Sequence, residues 1–216
     1  MKALLFGSIG TLIETSNIQR ESFNQAFKEI GLDWHWDQER YKQLLKKSGG
    51  TKRIEDFAEK NNVNVDAKKI RERKTSIYNE KLRSCNTLPR EGVLEVLKYA
   101  RKNNIKTGFV TSTTTENIDS VFATLNKKII REDFDFIGDN SLIEKPKPDP
   151  DIYIKALNDL EINPLECIAV EDSVESSISA YKANIKCIAF PGLFHIDDDF
   201  RFCSRSYKKL DISIFK

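Results

Sequence analysis

Five short runs of largely apolar residues, Ala3–Phe6, Thr107–Val110, Phe134–Ile137, Cys167–Val170 and Cys187–Phe190, constrain this chain more than any other feature. Each is too short for a helix and lacks the alternation of a half-exposed strand, which predicts a strand buried on both faces. Helical periodicity fills most of the intervening sequence. Strands alternating with helices predict a parallel sheet.

The spacing is uneven. Roughly a hundred residues separate the first two runs, whereas a simple crossover needs about a dozen. The excess reads as helices over Ile18–Ile30, Asp37–Leu45, Ile54–Glu59 and Ala67–Leu82, with Lys, Glu, Gln and Asn between the apolar positions. The expected organisation is α/β, with a core from residues 1–14 and 86–216 and a helical cap from residues 15–85 inserted after the first strand. A parallel sheet binds ligands at the carboxyl ends of its strands, the edge beside which such a cap would lie.

Charge and composition exclude several classes. Lys and Arg total 35 against 33 acidic residues, a net +2, which is not the basic excess of a nucleic-acid binder. No apolar run approaches the length of a membrane span. Lys2 and the apolar stretch Ala3–Ile13 imitate the start of a secretory leader, but no small-x-small cleavage site comes after it. The four cysteines show neither zinc nor redox spacing, so a soluble protein of a reducing, cytoplasmic compartment is expected. His35 and His195 have no partner at zinc-ligand spacing. Trp34-His35-Trp36 has no cluster of Arg and Lys around it and reads as cap packing rather than a base-stacking platform. Gly7-Ser8-Ile9-Gly10-Thr11 lacks the glycines of a dinucleotide fingerprint, and no Gly-Lys-Ser/Thr marks a nucleotide phosphate loop.

The segments just after the strands are chemically richer. Gly7–Thr11 succeeds the first strand, Thr111-Ser112-Thr113-Thr114-Thr115 the second and Glu171-Asp172-Ser173 the fourth, while Lys145 precedes Pro146-Lys147-Pro148-Asp149-Pro150 ahead of a helix. Each alone has a bland reading, a helix cap or a solvated lysine. Together they are expected to converge above the sheet, where Thr111, Ser112 and Lys145 would offer hydroxyls, a helix N-terminus and a positive charge to a phosphate.

Gly10-Thr11-Leu12-Ile13-Glu14-Thr15 after the first strand, a later strand ending in Thr111, the Lys-Pro-x-Pro-Asp element and Glu171-Asp172-Ser173 resemble, in the same order, the four motifs of the haloacid dehalogenase-like superfamily. Ser22–Phe27, Gly31–Trp36, the stretch from Leu44 to Ile54 and Thr113-x-x-x-Asn117-Ile118 are similar to its CbbY-like branch, close to the β-phosphoglucomutase-like enzymes. The resemblance covers nearly the whole chain. It implies a Rossmann-like core with an inserted helical cap, phosphorylated sugars as ligands, Thr111, Ser112 and Lys145 on the phosphate, and Glu171 and Asp172 on Mg²⁺. In the cap it implies substrate contacts from Glu14, Gln19, Gly49, Gly50 and Arg53, with Gln19 standing where the branch commonly has His.

The first motif departs from the pattern. The family carries Asp-x-Asp-Gly-Thr, its first Asp the nucleophile and metal ligand and its second the general acid and base, and those two positions are here Gly7 and Ile9. Glycine cannot attack phosphorus and isoleucine cannot shuttle a proton. Ser8 is the nearest hydroxyl, and strand alternation would turn it from the face that positions 7 and 9 share. With one ligand gone, Mg²⁺ is expected to bind weakly through Asp172 and Glu171. Two function classes stand: a non-catalytic protein that binds a phosphorylated sugar or related metabolite, or a protein partner, which is preferred, and an active phosphatase with a non-standard nucleophile. Restoring Asp at positions 7 and 9 together is expected to recover some activity.

Overall fold

The structure, a computed structural model, describes residues 1–46 and 49–215. β1 (Ala3–Phe6) is entirely buried and pairs in parallel with β2 (Lys106–Val110) on one side and β4 (Cys167–Glu171) on the other. A strand flanked on both edges and covered on both faces has no solvent side, which is why its sequence does not alternate. β3 (Phe136–Gly138) and β5 (Lys186–Ala189) complete a five-stranded sheet of order β3-β2-β1-β4-β5, parallel throughout. The α/β fold with a Rossmann-like parallel sheet is therefore as expected.

The third strand starts two residues later than the apolar run suggests. The Asp135 carboxylate accepts the Thr107 N–H at 2.7 Å, and its own N–H donates to the Thr107 carbonyl at 2.8 Å. This side-chain exchange takes the place of a ladder rung, and regular pairing begins only at Gly108 with Phe136.

A one-turn helix α1 (Ile9–Leu12) comes after β1. Of the longer core helices, α6 (Val93–Lys102) precedes β2, α7 (Thr115–Thr124) succeeds it, α8 (Asp151–Leu160) lies between β3 and β4, and α9 (Val174–Lys182) joins β4 to β5. Because every strand points the same way, Gly7, Thr111, Asp139, Asp172 and Phe190 all emerge at one edge of the sheet.

The chain divides into two compact units, Met1–Glu14 with Asn86–Lys216, and Thr15–Cys85. The second holds α2 (Ser16–Glu29), α3 (Gln38–Leu44), α4 (Gly50–Lys60) and α5 (Ala67–Ser84). Its centre is Trp36, fully buried, with ring centroids 4.9 Å from Phe23, 4.7 Å from Phe27 and 5.4 Å from Phe57. The Asn24 side chain exchanges hydrogen bonds with the Trp36 backbone at 2.8 and 3.0 Å, fixing the loop that presents the ring. The tryptophan pair is packing, as its sequence context suggests. Among the described residues no helix is long and apolar enough to cross a membrane.

Candidate functional site

The last residue of β4, Glu171, is fully buried. Its Oε1 accepts hydrogen bonds from the Tyr153 hydroxyl and the Lys147 ammonium, each at 2.6 Å, and Lys147 also donates to the Gly7 carbonyl. Burial, the dominant cause, together with neighbouring Asp172, pushes the Glu171 carboxyl up to about 7 against the opposing pull of Lys147 and Tyr153. Its Oε2 is buried without a hydrogen-bond partner, the position at which a proton costs least. Tyr153, itself fully buried beside this carboxylate, is held well above the ordinary range of a phenol, first by desolvation and then by Glu171.

Lys147, not Lys145, is the lysine at the strand ends. Lys145 is exposed and is held only through its backbone N–H, which donates to Asp151 at 3.1 Å. The sequence contains the element in two overlapping registers, Lys145-Pro146-x-Pro148-Asp149 and Lys147-Pro148-x-Pro150-Asp151, and the fold uses the second. The Lys147–Pro148 bond is cis. Both registers fit the spacing in sequence, and the path of the chain selects Lys147.

At the end of β2, Thr111 is buried and its hydroxyl accepts the Thr113 N–H at 3.2 Å, while the Ser112 hydroxyl accepts the Lys147 N–H at 3.3 Å. Thr114 caps α7 through the Asn117 N–H. Thr111, Ser112 and Lys147 are thus gathered around the turn that opens α7, where free backbone N–H groups and the helix dipole favour an anion.

The residues present do not fit a divalent metal. Position 7 has no side chain, Glu171 is enclosed and engaged by Lys147 and Tyr153, and Asp172 is left as a single accessible carboxylate. No group of three or more His, Cys, Asp or Glu among the described residues is placed to hold an ion, whereas Mg²⁺ demands near-octahedral oxygen ligation. Glu171, expected as a metal ligand, turns its carboxylate to a lysine and a tyrosine. Ser8 Oγ is buried and has no hydrogen-bond partner, so no base is in place to activate it.

Arg90, which the sequence did not single out, ties this edge together. Its guanidinium donates to the carbonyls of Gly10, Phe190 and Pro191 at 2.7 to 2.8 Å and lies 3.4 Å from the Phe190 ring centroid. The loop after β1 is thereby fastened to the loop after β5. Glu14, expected to contact substrate from the cap, belongs to the core unit and accepts the Leu193 N–H at 2.7 Å.

The helical unit carries its own charged cluster. Lys74 of α5 is 2% exposed, donates to the Gln19 amide oxygen and sits 5.0 and 4.8 Å from the ring centroids of Phe23 and Tyr78. Burial, then Arg71, then Arg53, hold its ammonium well below the ordinary lysine range. A lysine on the apolar stripe of α5, four residues before Tyr78, was the overlooked signal. Gly49 takes a positive φ of 86° at the start of α4, a conformation that suits glycine. Gly50 lets Arg71 pass, since a Cβ there would meet its Nε at 2.4 Å. Arg53 donates through Nε to the Leu44 carbonyl at 2.9 Å and, with Arg40, Lys46, Lys60, Asp56 and Phe57, lines a groove of about 480 Å³.

With this sheet order, the chain belongs to the haloacid dehalogenase-like hydrolase family, whose model matches residues 9–190. Within it the chain falls in the CbbY and β-phosphoglucomutase-like branch. It is 33% identical over 203 residues to CbbY of Rhodobacter capsulatus, covering 93% of this chain and 89% of that protein. It is 28% identical over 188 residues to the β-phosphoglucomutase of Bacillus subtilis, covering 85% and 80%. CbbY from Rhodobacter sphaeroides, solved as a point mutant in complex with xylulose-(1,5)bisphosphate and, separately, with phosphate, superposes with a TM-score of 0.85 at 28% identity over 97% of this chain and 95% of that one.

Proposed function

We propose that this chain binds a small phosphorylated metabolite, a sugar phosphate or bisphosphate, and does not carry out metal-dependent phosphoryl transfer. The observation that carries the reading is the state of position 7. The family resemblance places a nucleophilic carboxylate there, and in this chain that volume holds the buried Glu171 carboxylate with its Lys147 and Tyr153 partners. At the two positions where the family carries its aspartates, Gly7 offers no attacking oxygen and Ile9 no proton-shuttling group.

Anion binding does not need those groups. An ammonium has three donors, of which Lys147 uses two on Glu171 and Gly7. The third, with the Thr111 and Ser112 hydroxyls and the N-terminus of α7, suits a phosphate. The absence of a carboxylate at position 7 removes negative charge that a metal would otherwise have to offset. In the helical unit, Arg71 and Arg53, grouped near the buried Lys74, supply a cationic environment that suits an anionic group. The support from relatives is the phosphate and the pentulose bisphosphate bound by CbbY.

Calorimetric titration with a pentose bisphosphate in the presence of a chelator tests the reading. Binding that persists without metal and weakens at least about tenfold in Lys147→Ala, the loss of one charge-assisted hydrogen bond, is expected. Binding that appears only when Mg²⁺ is added would overturn it.

A further inference from the structure

Two cysteines far apart in sequence, Cys187 and Cys203, have their sulfur atoms 3.5 Å apart. Cys187 is buried on β5, and Cys203 is partly exposed in the segment that runs along the outer edge of that strand. The segment is already in register: Ser204 donates its N–H to the Cys187 carbonyl at 2.8 Å, Ala189 donates to Arg205 at 2.8 Å, and Tyr207 donates back to Ala189 at 2.8 Å. A disulfide needs the sulfurs at about 2.05 Å, so the pair must close by roughly 1.5 Å, a movement within reach of side-chain rotation on an aligned backbone.

We propose that Cys187 and Cys203 form a thiol–disulfide exchange site, at which a low-molecular-weight disulfide oxidises the pair and staples the 203–207 segment to the edge of the sheet. Cys203 is the attacking group. It is the accessible member, and the Cys187 thiol and the Ser177 hydroxyl hold its ionisation below the ordinary thiol range against partial burial. The Cys203 thiolate attacks one sulfur of the small disulfide, forms a mixed disulfide and expels one thiolate. Cys187, having lost its proton to solvent or to the departing thiolate, attacks the Cys203 sulfur and expels the second. Two electrons pass from the cysteine pair to the small disulfide, leaving one protein disulfide and two small thiols.

The bond would stiffen the wall behind Glu171. Cys187 pairs with Ala169 and Ala189 with Glu171, so Cys187 shares the sheet face of the Glu171 side chain, and it packs in one cluster with Tyr153.

The test uses full-length protein carrying Cys85→Ser, which removes the exposed thiol, incubated with glutathione disulfide and read by intact mass and peptide mapping. Loss of two hydrogen atoms with a linked Cys187–Cys203 peptide is expected, together with a melting temperature several degrees higher that returns on reduction. Cys187→Ser should trap a glutathione adduct on Cys203, whereas Cys203→Ser should stay unmodified at Cys187. A lasting adduct on Cys203 in the presence of Cys187, a linkage through Cys167, no change in mass, or an oxidised protein that melts no higher would overturn the proposal.

Discussion

A Cβ placed on Gly7 would stand 2.0 Å from Oε1 of Glu171 and 2.2 Å from the Tyr153 hydroxyl, so the carboxylate at the end of β4 lies in the volume that a side chain at position 7 would take. The first motif is therefore more than a truncated version of the family pattern. The buried ion pair and the tyrosine hydrogen bond occupy that volume, and a side chain at position 7 would have to displace them.

Gly7→Asp with Ile9→Asp, which the sequence alone suggests as a rescue, is accordingly expected to fail. Glu171 is the flexible end of a side chain, but it is anchored by two hydrogen bonds at 2.6 Å and has no exposed volume to move into. Overpacking of this kind costs about 1–3 kcal/mol. Urea denaturation should show that loss already in Gly7→Ala, and phosphate release by the double variant should stay at the background of the parent. A double variant with parental stability and measurable turnover would show that Glu171 yields easily.

The two lysines of the repeated Lys-Pro element should separate cleanly in stability. Lys147→Met leaves Glu171 buried without its cation, a change of about 3 kcal/mol, and Lys147→Met with Glu171→Gln should recover part of it. Lys145→Met removes an exposed side chain and should stay within about 0.5 kcal/mol of the parent. Equal denaturation midpoints for the two single variants would contradict the assignment of Lys147 to the site.

Lys74 gives a pH signature. Its folded ionisation is lowered first by burial and then by Arg71 and Arg53, while in the unfolded chain a lysine titrates near about 10.4. Between the lowered folded value and that unfolded value the unfolded chain holds a proton that the folded chain does not. Stability therefore rises with pH across that window, and the full penalty applies below it. Lys74→Met should flatten the rise and increase stability at neutral pH. A variant with the parental pH slope would place the titration elsewhere.

Arg53 is expected to set a preference for ligands with a second anionic group. Bisphosphates should bind about tenfold or more tightly than monophosphates, as expected for a charge-assisted hydrogen bond. Arg53→Ala should erase the difference, and Arg53→Lys should restore only part, because an ammonium lacks the guanidinium fork. Calorimetry with matched mono- and bisphosphates checks this, and equal affinities in the parent would leave Arg53 as a structural support for the Leu44 carbonyl.

The elements were legible where a local pattern decides them. β1 is uniformly apolar because it is paired on both sides, and Trp36 read as packing because no cationic cluster surrounds it. β3 was misplaced by two residues because Asp135 intercepts the ladder with its side chain, which no apolar pattern encodes. The strand-end residues Gly7, Thr111 and Asp172 were legible from their place after strands. Lys147 was not, because two overlapping registers satisfy the same spacing and only the path of the chain selects one. Least legible was the filling of position 7: Glu171, Tyr153 and Lys147 come from separate parts of the sequence, and their meeting over a glycine is a tertiary fact.

Phosphorus NMR measures in one sample whether the chain holds a phosphorylated metabolite and whether it cleaves it. With a pentose bisphosphate, Mg²⁺ and stoichiometric protein, the ligand resonances should shift or broaden while no inorganic phosphate signal appears over hours. Growth of an inorganic phosphate peak at a rate abolished by Asp172→Ala would contradict the account and make the protein a metal-dependent phosphatase.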